Sequence, residues 1–205
     1  MNIEKSFTDV SGFFDTWVRI MEYETRIMEV QDLDINVKHI LIISPPTDRE
    51  IVCLSGANLN GETHLLCFTK ESERIANNYL LKHGIANLTA CVGSFFYIPF
   101  SNNYFDAVFT NCFFDFCEED DFDAIVNEIK RVLKKNGLLF SVYMEPPTNI
   151  IGKIWSDLFN LFPGIVHGCH PVNIKPALTR SDFNITKDVS ISRFGFPLKY
   201  IISEG

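Results

Sequence analysis

The densest group of potential metal ligands in this 205-residue chain is His167-Gly168-Cys169-His170, where two imidazoles and a thiolate could hold zinc or copper. Three ligands so close together, with no fourth in view, fit a turn that happens to hold two histidines better than a metal centre, so no metal is expected. Cys112 and Cys117 flank an aromatic segment, which suits packed thiols rather than nucleophiles. Asp115, Glu118, Glu119, Asp120, Asp121 and Asp123 could contact a cation or a basic substrate. More plainly, they charge the first turn of a following helix, where carboxylates favour the macrodipole. Phe95, Phe96, Phe113 and Phe114 could stack on a flat ligand or fill the core. No catalytic constellation stands out from residue types and spacing, and no catalytic residue is assigned.

A second feature lies at a helix start. Thr47-Asp48-Arg49-Glu50 has the form of a capping box, in which threonine and glutamate satisfy backbone donors reciprocally. A helix N-terminus is a natural anion site. Here the cap would occupy it, Asp48 would repel an anion, and Pro45 and Pro46 remove two N–H donors from the same loop.

Composition narrows the partners. A formal net charge of −8 with no clustered Lys/Arg stripe argues against nucleic acid and leaves a small molecule or a protein. No apolar run approaches the roughly 20 residues that cross a bilayer. The start Met-Asn-Ile-Glu-Lys lacks a signal-peptide pattern, and the six cysteines include no Cys-x-x-Cys pair. Both features lead to the expectation of a cytoplasmic protein with reduced thiols. Oligomeric state leaves no mark in the sequence.

The elements that must carry any site alternate along the chain. Strand-like apolar runs occur at 39–44, 64–68, 88–92, 105–110 and 138–143. Helical periodicity fills the gaps: Ile75, Ala76, Tyr79 and Leu80 share one face, and Phe122, Ile125, Val126, Ile129, Val132 and Leu133 make a longer one. Gly84 and Gly137 stand where helix C-termini take a left-handed residue. Trp17, Ile20, Met21, Ile27 and Met28 suggest an N-terminal amphipathic packing helix, and a further helix is expected around Trp155, Leu158 and Phe162. Strands separated by helices imply a parallel sheet with right-handed crossovers, whose ligands bind at the carboxyl ends of the strands.

Two segments carry a resemblance. Ile98-Pro-Phe-Ser-Asn-Asn-Tyr-Phe-Asp106-Ala-Val and Glu128-Ile-Lys-Arg131-Val-Leu-Lys-Lys-Asn-Gly137 resemble, in order and spacing, two motifs of class I S-adenosylmethionine-dependent methyltransferases. The likeness is nearest to those of ubiquinone and menaquinone biosynthesis. It extends through 76–85 and through the tail, where the segments from His170 and from Phe194 resemble the closing elements. It implies one α/β domain over 1–205, with a Rossmann-like seven-stranded, mainly parallel sheet, an antiparallel C-terminal strand pair and helices on both faces. Its parts would be a helical cap at 1–37, a core at 38–143 and a substrate-covering and closing region at 144–205. The implied activity is methyl transfer from S-adenosylmethionine to a small or lipid-like acceptor; the alternative is a catalytically inactive relative that binds a protein or another small ligand.

Carried over residue by residue, the resemblance puts the cofactor against Ser44, Pro46, Cys67, Phe68, Ser94, Phe95 and Asn111. Several of these depart from the family pattern. The acidic residue of the first strand corresponds to Ile42, and the three loop glycines to Ser44, Pro46 and Asp48. The acidic residue that holds the ribose hydroxyls corresponds to Cys67, and the Gly-Asp-Ala beside the adenine to Gly93-Ser94-Phe95. A thiol is a weak donor and a weak acceptor in place of a carboxylate.

Overall fold

Alternating strand and helix patterns become a three-layer α/β sandwich. The computed structural model describes residues 23–34, 37–43, 48–147, 149–161, 169–193 and 195–205. In chain order the elements are α1 (Tyr23–Asp32), β1 (His39–Ile42), α2 (Asp48–Ala57), β2 (Glu62–Cys67), α3 (Lys70–His83), β3 (Leu88–Val92) and β4 (Phe105–Asn111). Two short 3-10 turns then lead to α4 (Phe122–Val132), β5 (Leu133–Met144), α5 (Ile150–Leu161), α6 (Lys175–Arg180), β6 (Asn184–Arg193) and β7 (Phe196–Glu204).

The sheet order is β3-β2-β1-β4-β5-β7-β6. The first five strands in that order pair in parallel, whereas β7 is antiparallel to both β5 and β6. A central parallel strand is covered on both faces, so it needs apolar residues at successive positions. Ile40, Leu41, Ile42 and Ile43 meet that need and are all fully buried. Leu41 and Ile43 face the core layer beneath α4 and α6, and Ile40 and Ile42 face the layer beneath α2 and α3.

Local signals fix the helices. Thr69 Oγ1 accepts the Ser72 N–H at 3.0 Å while Ser72 Oγ accepts the Thr69 N–H at 3.2 Å, a reciprocal cap that starts α3 directly after β2. Gly84 ends α3 in the left-handed region at φ 65°, as expected from the sequence. The apolar stripe of α4, from Phe122 to Val132, is buried, while Leu133, expected on the same helical face, is instead the first residue of β5 and is buried there. On α3 the inward face is Ser72, Ala76 and Leu80, and Ile75 is half exposed, because the cap turns Ser72 rather than Ile75 toward the sheet.

Two further expectations are corrected. Gly137 is not the left-handed residue after α4; Asn136 takes that role at φ 64°. The chain enters β5 directly at Leu133, and pairing with β4 jumps from Phe105–Leu133 to Ala107–Leu138, so 134–137 form an outward loop. Gly137 is needed there for space: a Cβ would stand 2.9 Å from the Lys134 carbonyl oxygen. On α1, Ile27 points outward whereas Met28 packs against the layer beneath α2 and α3 as expected, beside the buried polar residues Thr25, Arg26 and Glu29. Trp17, Ile20 and Met21 lie outside the described residues.

Candidate functional site

Neighbouring strands β1 and β4 leave in opposite directions along the sheet, β1 toward β2 and β3, β4 toward β5. This is the topological switch point, and in open α/β sheets ligands bind outside the carboxyl ends of the strands there. Ser44, Pro46 and the Thr47 cap lie outside the described residues, between the end of β1 and the start of α2. Cys67, Phe68, Ser94, Phe95 and Asn111 are all brought to this end of the sheet, at or just beyond the ends of β2, β3 and β4.

The β2 and β3 ends are neutral and apolar. Cys67 is buried, and its thiol is pushed up to about 12, first by burial and then by the nearby Cys91, so it stays protonated at physiological pH. Phe68, Phe95 and Phe113 converge from the ends of three strands, with ring centroids 5.5 Å apart for Phe68–Phe95 and for Phe95–Phe113. Their edge-on and tilted geometry is that of packed aromatic core. Ser94 is exposed, with its Oγ accepting the Phe96 N–H at 3.2 Å, and Phe96 is exposed beside it. Gly93 allows close packing: a Cβ there would lie 2.6 Å from Pro99 Cδ and 2.8 Å from Leu66 Cδ1.

The β4 and β5 ends are more polar. Asn111 is buried and donates from Nδ2 to Glu29 Oε2 of α1 at 3.1 Å. Cys112 follows at φ 48°, a conformation L residues rarely adopt and one that concentrates at functional turns. Its N–H still reaches the Val142 carbonyl at 2.7 Å. Asp115 is buried, unlike the rest of its acidic run, and both carboxylate oxygens accept the Met144 N–H, at 3.0 and 3.2 Å. Asp123 belongs to the first turn of α4 and pairs with Arg180. Among the described residues the hydroxyl of buried Tyr143 meets no hydrogen-bond partner. Burial, then Asp188, Glu145 and Asp115, hold its pKa above the usual phenol value.

Cys117 is fully buried and its pKa is raised by burial, as suits a packed thiol. His167 lies outside the described residues, while Cys169 is half-buried and packs against both core layers. Among the described residues no three His, Cys, Asp or Glu side chains form a group that could hold a metal ion. Nor, among them, is any helix long and apolar enough to cross a membrane. Glu29 is the site-facing residue that periodicity missed. In the sequence, Thr25, Arg26, Glu29 and Asp32 look like the solvent face of a helix, and only the fold reveals that they point inward.

Residues 53–141 match the family model described as a methyltransferase domain. No curated protein matches the chain. The fold is similar to that of a SAM-dependent methyltransferase from Aquifex aeolicus, with TM-score 0.71 and 14% identity over 100% of this chain and 98% of that one. A SAM-dependent methyltransferase from Methanosarcina mazei gives TM-score 0.67 and 18% identity over 86% and 96% of the two chains. A geranyl diphosphate methyltransferase, solved with GPP and sinefungin, gives TM-score 0.65 and 12% identity over 89% of this chain and 77% of that one. The matched segment spans 53–141 of the 205 residues, and beyond it the likeness to these solved structures is one of fold.

Proposed function

We propose that the protein binds S-adenosylmethionine at the carboxyl ends of β1 to β4 and transfers its methyl group to a small or lipid-like acceptor. The observation that carries this reading is the switch point between β1 and β4, with the ends of β2, β3 and β4 all supplied by the matched segment. The cofactor, when bound, supplies an electrophilic methyl group on a sulfonium.

The residues at these strand ends fit the cofactor through neutral and apolar contacts. Phe68 and Phe95 offer an apolar wall to a flat base, backed by Phe113. Cys67 and Ser94 offer the ribose and base one neutral hydrogen-bonding group each. Among the described residues no side chain at these strand ends is an evident base, so the protein's part would be to orient the acceptor and exclude water, which together can supply much of a transfer barrier. An apolar acceptor is supported by exposed Ile150 and Ile154 on α5, and by the geranyl diphosphate enzyme among the similar folds. Six free thiols suit the reducing cytoplasm, where we place the protein.

A second reading, a catalytically inactive module that binds a protein or another small ligand, draws on the Cys67 thiol standing where a carboxylate would hold the ribose. Calorimetric titration with S-adenosylmethionine and S-adenosylhomocysteine decides between the two without an acceptor. Micromolar affinity is expected. No heat and no thermal stabilisation at millimolar ligand would overturn the cofactor reading in favour of the second.

A further inference from the structure

Helices α2 and α3 leave a groove of about 410 Å³ near their carboxyl ends, walled by Val52, Gly56 and Leu59 on one side and by Gly84 and Ile85 on the other. It lies at the amino ends of β2 and β3, away from the strand ends proposed for the cofactor. Asn87 Nδ2 donates to the Ser55 and Asn58 carbonyls at 2.8 and 3.0 Å, which ties the two walls together. The groove is preformed. Leu59 is 74% exposed and Val52 46%, and Leu81, one turn before Gly84, is 82% exposed. Apolar side chains scattered over a surface are ordinary, whereas several gathered at one groove mark an interaction face. Gly56 adds to this. A glycine inside a helix costs stability relative to alanine, yet a Cβ at Gly56 would meet nothing within 4 Å among the described residues. No neighbour in the chain requires the glycine, and its effect is to widen the groove.

We infer that this groove is the contact face of a homodimer, in which a twofold axis along the groove sets α3 of each copy over α2 of the other. Charge selects a second copy as the occupant. The chain carries a formal net charge of −8, so two copies repel unless they meet through a face without acids. Residues 51–61 and 84–87 hold no charged side chain, and a strongly charged partner would find nothing to pair with on these walls. The helix ends are also complementary. Helix α2 has no basic residue in its last turn, whereas α3 ends with Lys82 and His83. In the crossed arrangement Lys82 of each copy stands at the carbonyl end of α2 of the second copy, where the macrodipole favours a cation. Leu81 of each copy then packs beside Leu59 of the other, over the space left at Gly56, and the twofold repeats the contact. The interface leaves the carboxyl ends of the strands open.

The test is sedimentation velocity on the full chain over a concentration series, with thermal unfolding to establish that each variant is folded. The wild type is expected to be a dimer that dissociates on dilution. Leu81→Asp and Gly56→Leu are each expected to weaken it by at least about tenfold, the first by placing an acid on the face and the second by filling the groove. Leucine is the better helix former, so Gly56→Leu monomer should unfold no earlier than wild-type monomer, which separates a filled groove from a damaged fold. Lys82→Glu is expected to weaken the dimer as well, and added salt should lessen that difference. A wild type that stays monomeric at every concentration would overturn the homodimer and leave the groove to another occupant. A dimer that tolerates Leu81→Asp and Gly56→Leu would overturn the placement of the interface.

Discussion

Glu128 Oε1 accepts the Ile98 backbone N–H at 2.6 Å, tying the middle of α4 to the turn that leads into β4. Arg131 completes the joint: it grips Glu128 through Nε and Nη2 at 2.8 and 2.7 Å, and donates to the Ile98 and Phe100 carbonyls, each at 2.9 Å. Residues 30 apart in sequence thus form one polar clamp under β4. Arg131→Ala removes a charged donor from several partly buried acceptors. The expected cost is about 1.5–3 kcal/mol, or a fall in Tm of very roughly 3–12 °C. Denaturant unfolding that gives the wild-type midpoint would show that the clamp contributes nothing.

That clamp explains what was legible. The two segments that carried the family resemblance are the two halves of the clamp, and the α4 stripe repeats an apolar residue at helical spacing without interruption, so type and position both follow from the chain. Asp106 is likewise structural: it accepts the Lys38 and His39 N–H groups and a bond from Lys134, which joins the entrances of β1 and β4. The inward face of α1 was not legible, because periodicity assigns polar residues to solvent, and partners distant in sequence, among them Asn111, Lys187 and Tyr200, reverse that assignment. Asp115 was lost for a similar reason. Its neighbours are exposed acids, and its burial depends on the Met144 N–H. Asn136 took the left-handed position meant for Gly137 because β5 begins before the turn rather than after it.

Acid sensitivity should come in two steps. His64 packs among Phe100, Tyr104 and Phe105, and burial lowers its pKa below the ordinary 6.5 despite the Glu62 carboxylate at 3.7 Å. A depressed histidine binds fewer protons folded than unfolded, so stability is expected to fall as pH drops below about 6.5. A second fall belongs to Glu128 and Asp106. Burial works against their ionisation, but hydrogen bonds from Arg131 and Ile98, and from Lys134, His39 and Lys38, win and hold both below their ordinary values. Their contribution is lost as pH falls through the carboxylate range. In urea unfolding from pH 7.5 to 3, His64→Phe should erase the upper step and leave the lower; an upper step that survives would assign it to another group.

Thiol reactivity should follow burial. Cys53 is exposed on α2, whereas Cys67 and Cys117 are buried with pKa values raised by desolvation, and only the thiolate reacts readily. Timed alkylation of native protein followed by peptide mass spectrometry is expected to label Cys53 first, with Cys67 and Cys117 reacting only after denaturation. Early modification of Cys67 would mean that the β2 end is open and its thiol acidic, which would undercut the neutral strand-end account.

The hairpin between β6 and β7 depends on one glycine. Gly195 has φ 77°, and a Cβ there would stand 2.1 Å from Ile151 Cγ2 of α5, so Gly195→Ala combines backbone strain with a clash. Trp155 of α5 packs edge-on against Phe196 at 6.1 Å, one residue beyond, and would be pushed away with the helix. Expected is a stability loss of about 1–3 kcal/mol, accompanied by a red shift of tryptophan emission as Trp155 gains solvent. An unshifted spectrum would indicate that α5 keeps its seat.

The Cys67 position gives the most direct measure of what the altered strand ends cost in binding. A carboxylate there would reach ribose hydroxyls with charge-assisted hydrogen bonds, each worth more than those of a neutral thiol. Cys67→Asp is therefore expected to tighten S-adenosylhomocysteine binding by about 10- to 100-fold. The same burial that pushes the thiol up to about 12 would oppose ionisation of the new carboxyl, so ligand-free protein should lose stability and regain it when the ligand is added. Adding Ser94→Asp should increase affinity further, though less than additively, because both groups serve one ligand. Calorimetry and thermal shift on the same samples separate the two effects. A folded Cys67→Asp variant with unchanged affinity would show that the ribose does not lie at the end of β2.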